Sequence, residues 1–266
     1  MKTKNIGFWV GLAMLGILVV LAIFAPWITR QDPVAQDLVN TLLKPNSHHL
    51  LGTDQLGRDV LTRLIYGIRT DLVIGVLAVL FPFIFGTFLG LVTGWYGGWF
   101  DSFVMRIVDI TIAFPFYVLA IALSLVFGAG AKAIIITITV VGWVAYCRIV
   151  RAGVLVTKEL DYIHAAKLSG LPTFRILRRH VFPNVISQAI VFSMSDIVLS
   201  ILAIVTLTFL GLGIPSPTPE WGLMIQEGQA YILQSWWIPF IPGFMVVIVG
   251  FALSLIGDGF VKRFAK

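Results

Sequence analysis

Six apolar runs, each near or above the roughly 20 residues that a helix needs to cross a hydrocarbon core, divide this chain and leave it few other ways to fold. They cover approximately residues 8–28, 72–94, 107–127, 133–147, 185–212 and 236–256. Lipid offers no hydrogen bonds to a backbone, so runs of this length must satisfy themselves as helices. A composition of 58% hydrophobic and 12% charged residues, with a mean hydropathy of +0.96, would leave large apolar patches on a soluble domain. The expectation is an all-α integral membrane protein with six transmembrane helices. The run at 133–147 is short, but Lys132 and Arg148 flank it and can snorkel along its ends. The first run follows Lys2 and Lys4 as a signal peptide would, yet its length and the five runs after it mark a retained helix. Cys147 is the only cysteine, so helix packing and not an internal disulfide must hold the bundle.

Lysine and arginine placement gives the orientation. With the N-terminus inside, cytoplasmic segments hold Lys2, Lys4, Arg106, Arg148, Arg151, Lys158, Lys167, Arg175, Arg178, Arg179, Lys262, Arg263 and Lys266. The other side receives Arg30, Lys44, Arg58, Arg63, Arg69 and Lys132, mostly in one long connection balanced by Asp32, Asp37, Asp54, Asp59 and Asp71. Both termini are therefore expected in the cytoplasm, with Trp221, Trp236 and Trp237 at the outer interface. The net charge of +6 is interleaved with the apolar runs, a pattern of membrane anchoring and not of nucleic-acid binding.

Gly86, Gly90 and Gly94 recur every fourth residue in "FGTFLGLVTG", which puts them on one helix face where a neighbouring backbone can approach. Pro82 and Pro115 lie inside apolar runs and are expected to kink their helices. Asp196 in "VFSMSDIVLSILAIV" is the acidic residue deep in a run; Ser193 and Ser200, at −3 and +4, share its face. This stripe reads either as interhelical glue or as the lining of a pathway for a peptide amino group or a metal cation.

The longest inside connection is neither Gly/Ser-rich nor acidic and should be folded. The pattern over 154–169 is helical and ends at Gly170, suited to a C-cap, with Pro172 beyond. "TFRILRRHVF" reads as a second helix with Arg175, Arg178 and Arg179 on one side and Pro183 at its end. Ala165 and Ala166 next to the turn leave a shallow surface into which a partner could seat. On residues alone, the arginines are equally well explained as positive-inside anchors.

A helix, His164, the pair Ala165 and Ala166, Gly170, and a second helix reaching Pro183 is similar to the cytoplasmic signature of permeases in ABC importers. Further stretches resemble the second permease subunit of dipeptide, oligopeptide and nickel importers: "HLLGTDQLGRDVLTRLIYGIRTDL", "WYGGWFDSFVMRIVDITIAFP", "RRHVFPN", "LTFLGLGIPSPTPEWG" and "LIGDG". His164 stands where that family usually has a glutamate. The resemblance implies a type I permease fold: an N-terminal transmembrane helix at 1–28, an extracytoplasmic connection at 29–71, and a permease core at 72–266 with a coupling hairpin at 154–184. It implies a bacterial inner-membrane protein that forms half of a translocation pathway for di- or oligopeptides, or alternatively for nickel or a metal chelate. The implied partners are a second homologous permease, two ATP-binding subunits that carry ATP and Mg, an extracytoplasmic substrate-binding protein and membrane lipid, with no nucleic acid. No cofactor, catalytic residue or metal is expected on this chain.

Competing classes lack their motifs. No lysine follows a glycine, so no G-x-x-x-x-G-K-[ST] loop can cradle a nucleotide. H-E-x-x-H and G-x-S-x-G are absent, and four scattered histidines give no metal spacing. His48 and His49 read as solvated loop residues. A channel would show recurring polar groups along a pore helix, and none of the six runs does. "GTDQLGRD" reads as a turn and helix start with Asp59 as N-cap, or as a contact for the binding protein or the partner permease, and the prolines of "IPSPTPEWG" stiffen a loop that either caps the bundle or touches the binding protein.

Overall fold

The computed structural model describes residues 6–264, with side chains described as far as Phe260. Lys2, Lys4 and Lys266, and the side chains of Lys262 and Arg263, lie outside the described residues. The chain forms helices α1 (Ile6–Ile23), α2 (Ala25–Thr29), α3 (Val60–Tyr96), α4 (Gly98–Ala113), α5 (Phe116–Phe127), α6 (Ala131–Thr157), α7 (Asp161–Leu168) and α8 (Thr173–Ile176). A π-helical turn, Leu177–Val181, then leads into α9 (Phe182–Phe209), followed by α10 (Trp221–Gln229) and α11 (Trp237–Phe264). Among the described residues the only β pairing is an isolated bridge between Thr53 and Asp59. Five helical segments are long and apolar enough to span a membrane, or six when the bent pair α4 and α5 counts as one.

The most extensive helix pairing is between α3 and α6, and glycine makes it close. A Cβ placed on Gly86 would lie 2.6 Å from Tyr146 Cβ, one on Gly90 2.6 Å from the Cys147 carbonyl oxygen, and one on Gly94 2.8 Å from Val154 Cβ. Any side chain at these three positions would push the helices apart. The matching order of the contacts shows that the two helices run parallel. Helix α3 continues through Pro82, whose ring lies against Gly142 of α6.

Because α3 and α6 run the same way, the segment between them must return to the starting end. It does so in two pieces. The expected single helix at 107–127 is corrected: α4 and α5 meet at a 97° bend, with Phe114 extended (φ −88, ψ 137) before Pro115. Proline has no N–H to continue the ladder and forces its predecessor out of the helical region. Beyond α5, the Gly130 N–H donates to the Gly213 carbonyl at 2.8 Å, which ties the start of α6 to the loop after α9.

The first apolar run also divides, with a bend at Phe24 before the short α2. Helix α3 starts at Val60, well before its apolar run, because Asp59 Oδ2 accepts from the Thr62 N–H at 2.8 Å and caps it. Helix α1 is apolar all round and packs along α11.

Candidate functional site

The two ends of the bundle are chemically distinct. At the hairpin end, α6 stops at Thr157, a turn over 158–160 follows, and α7 begins at Asp161, so the continuous helix expected over 154–169 is interrupted. Helix α7 closes with the Leu171 N–H on the Ala166 carbonyl (3.3 Å) and the Gly170 N–H on that of Lys167 (3.0 Å). This 6→1 and 5→2 pair is a Schellman cap, and Gly170 supplies its left-handed residue at φ +74. The expectation for Pro183 is corrected. It does not end the second helix; it sits at the start of α9, directly after the π-turn, and the helix runs on through it to Phe209. The π-turn before it joins hairpin and span into one rod.

Ala166 also departs from expectation. It is 8% exposed and packs with Ile163, Ile176, Val181 and Val185 inside the hairpin, so only Ala165 of the pair is on the surface. Exposed on the hairpin instead are Leu168 at 89% and Phe174 at 73%, together with His164, Arg175, Arg178 and Arg179. None of these three arginines forms an ion pair among the described residues; His164 Nε2 lies 3.8 Å from Glu159. The hairpin is held from behind. Lys158 Nζ donates to the Gly94 carbonyl at the end of α3 (3.2 Å), Lys167 Nζ lies 4.9 Å over the Trp95 ring, and Arg151 grips Asp101 with bonds of 2.6 and 2.7 Å.

Between the ends, the break at Pro115 opens a cavity of about 660 Å³ against α6 and α9. Its walls include Phe114, Phe116, Tyr117 and Phe192, and Asp196 and Ser200 face it. Tyr146, fully buried on α6, donates its hydroxyl to Asp196 Oδ2 at 2.8 Å. Ser193 is not brought to this cavity; its hydroxyl bonds back to the Ile190 carbonyl at 2.7 Å. Tyr146 was not singled out from sequence, although a buried phenol needs a polar partner and Asp196 was an acid without one.

The cap end is a network of buried charge that sequence reading left as a loop. Arg58 Nε donates to Asp54 Oδ2 at 2.6 Å and its Nη2 to Glu227 of α10. Arg63 lies 3.5 Å from both acids and donates to the carbonyls of Pro33 and Pro217 at 3.2 Å. Gly57, at φ +72, turns the chain where the Asp37 carbonyl leaves no room for a side chain. His49 is corrected from a solvated residue: its Nδ1 lies 3.0 Å from Asp59 Oδ1. Trp221 is also corrected. It is fully buried rather than interfacial, with its indole N–H on the Leu64 carbonyl (3.2 Å) and its backbone N–H on Asp71 (3.1 Å). Glu220 caps α10 by accepting from Gly222 and Leu223 at 2.8 and 2.7 Å, and burial pushes its carboxyl above the ordinary range.

A multi-helix membrane bundle with a broken span, an open cavity at the break and a folded basic hairpin has the parts that a transport permease needs. The chain belongs to the family described as binding-protein-dependent transport system inner membrane component, which matches residues 86–266, and it is the permease subunit of an ABC importer in the inner membrane. Residues 3–45 match the N-terminal transmembrane domain of oligopeptide transport permease C. A putative peptide transport system permease protein of Brucella abortus is 39% identical over 96% of this chain and 86% of its own length. The dipeptide transport system permease protein DppC of Bacillus subtilis is 40% identical over 96% of this chain and 80% of its own length. An inward-facing structure of the MetNI methionine ABC transporter shares the fold, with a TM-score of 0.62 at 18% identity over 77% of this chain and 97% of that one.

Proposed function

We propose that this permease carries di- or oligopeptides, pairs with a second homologous permease, and is driven by two ATP-binding subunits that dock on its hairpin and hold the ATP and Mg. The observation that carries this reading is the hairpin's exposed side chains: Leu168 and Phe174 are apolar and solvent-exposed, and Arg175, Arg178 and Arg179 are exposed with no ion pair among the described residues. Large exposed apolar side chains on a segment that also carries unpaired arginines suit a protein contact. Peptides are favoured over nickel because the relatives above are named for peptide transport. An extracytoplasmic binding protein would deliver the substrate at the cap end.

The same reading counts six spans, because α3 and α6 are parallel and the bent α4–α5 pair must cross once between them. It puts both termini and the hairpin in the cytoplasm, as the positive-inside rule requires of Arg175, Arg178 and Arg179. Alternating access follows: ATP-driven closure of the docked subunits moves the hairpin, and the π-turn passes that motion into α9 and the cavity. Ser193 would stiffen the wall behind Asp196 and Ser200 rather than touch cargo.

The test is reconstitution of the full importer in proteoliposomes. ATP-dependent uptake of a labelled dipeptide, with none by this chain alone, is the expected result. Uptake of nickel but no peptide would overturn the substrate, and robust ATP turnover by the isolated chain would overturn its role.

A further inference from the structure

We infer that Asp196 is the contact for the substrate's α-ammonium group inside the cavity, with the aromatic wall receiving the adjoining side chain. This rests on the peptide reading above. The cavity's volume of about 660 Å³ lies within the range of small-ligand sites and suits a dipeptide. Asp196 is the one charged residue on its walls, which are otherwise mostly apolar and aromatic. Its Oδ2 is held by the Tyr146 hydroxyl, whereas its Oδ1 accepts no hydrogen bond among the described residues. A carboxylate in this position is oriented by one neighbour and still has acceptor capacity for a second donor.

The surroundings choose among cations. A divalent metal requires several hard or imidazole ligands to replace its hydration shell, and the described residues contain no cluster of three His, Cys, Asp or Glu. A primary ammonium needs only a carboxylate and a few further acceptors, and the rings of Phe114, Phe116, Tyr117 and Phe192 add attraction for a cation and for an apolar side chain. The same site disfavours a cargo whose amino end is blocked or acidic.

The alternative role for Asp196 is glue between α9 and α6 through Tyr146, and two variants separate the roles. Glue is lost equally from either partner, whereas a substrate contact survives loss of the phenol. In the reconstituted importer, Asp196→Asn should lower the maximal rate of alanyl-phenylalanine uptake about tenfold, the scale of one partly desolvated ion pair. Half-saturation, governed by the binding protein, should not move. Asp196→Glu should recover most of the rate, and Tyr146→Phe should lose only about threefold, a fraction of a charge-assisted bond. In a Leu199→Cys chain, which keeps Asp196 and places a thiol on the same cavity wall, a cationic methanethiosulfonate should modify the new thiol, and free-amino dipeptide should slow that reaction while the N-acetylated dipeptide does not. Equal losses in Tyr146→Phe and Asp196→Asn, full uptake by Asp196→Asn, or no protection of the cysteine overturns the inference while leaving peptide transport standing. Absence of dipeptide uptake by the unaltered importer overturns both.

Discussion

Arg58 and Arg63 at the cap end are 0% and 1% exposed and are braced by Asp54 and Glu227, whereas Arg175, Arg178 and Arg179 at the hairpin end stand in solvent with no acidic partner among the described residues. Both ends concentrate positive charge, but the cap pairs Arg58 and Arg63 internally while the hairpin leaves Arg175, Arg178 and Arg179 unpaired among the described residues. A buried guanidinium must be paired and hydrogen-bonded inside the fold, so the cap's charges serve the fold. An exposed, unpaired row adds little to stability and remains available to another molecule. Substitutions at the two ends should therefore have different consequences.

The largest effect is expected at the cap. Arg58→Met leaves the buried Asp54 and the half-buried Glu227 without their main partner, which costs about 3–5 kcal/mol. The assembled complex should be nearly lost in detergent, as read by size exclusion and thermal melting. The double change Arg178→Ala with Arg179→Ala should stay within about 0.5 kcal/mol of the parent while weakening co-purification of the ATP-binding subunits. Similar melting losses at both ends would break the contrast.

Gly90→Val comes next. Its Cβ would fall 2.6 Å from the Cys147 carbonyl oxygen, a backbone atom that cannot step aside, so overpacking costs about 1–3 kcal/mol. Melting should register this with the hairpin contacts untouched. Within the hairpin, Ala166→Trp should destabilise by a similar amount because that site is interior. Leu168→Ser, at 89% exposure, should leave melting unchanged and reduce ATPase-subunit binding. If Ala166→Trp melts normally and only loses its partner, Ala166 belongs to the surface after all.

Sequence reading reached different depths at the two ends for physical reasons. The membrane helices, the glycine face of α3 and the Gly170 turn rest on short-range rules of period and backbone conformation, which one sequence displays. The cap rests on pairings between distant segments, Arg58 with Glu227 and Trp221 with Asp71, that no local pattern announces. Asp71 sat at the edge of an apolar run and looked like a loop residue; the helix start at Asp59 brought it inside. Pro183 was misread because the same residue that stops a helix also opens one, and the preceding π-turn has no sequence signature. Asp196 was found as an anomaly in an apolar run, but its partner Tyr146, fifty positions earlier, was not.

The smallest expected effect concerns pH at the cap. Glu220 is fully buried beside Asp71, and burial raises its carboxyl above the ordinary value of 4.5. The unfolded chain, with the lower pKa, releases this proton first on going up in pH, so the folded state binds more protons in the window between the two values. Stability from this group is then fully present below about 4.5 and is lost as pH rises through the raised folded value. The two backbone bonds from Gly222 and Leu223 oppose the shift without cancelling it. Glu220→Gln keeps an acceptor for the α10 cap and cannot ionise, so its melting temperature should fall less steeply than the parent's as pH rises above about 4.5. Parallel pH profiles for the parent and Glu220→Gln would mean that the cap's buried acid is ionised in the folded state, and that the cap tolerates an unneutralised charge which the comparison of the two ends says it should not.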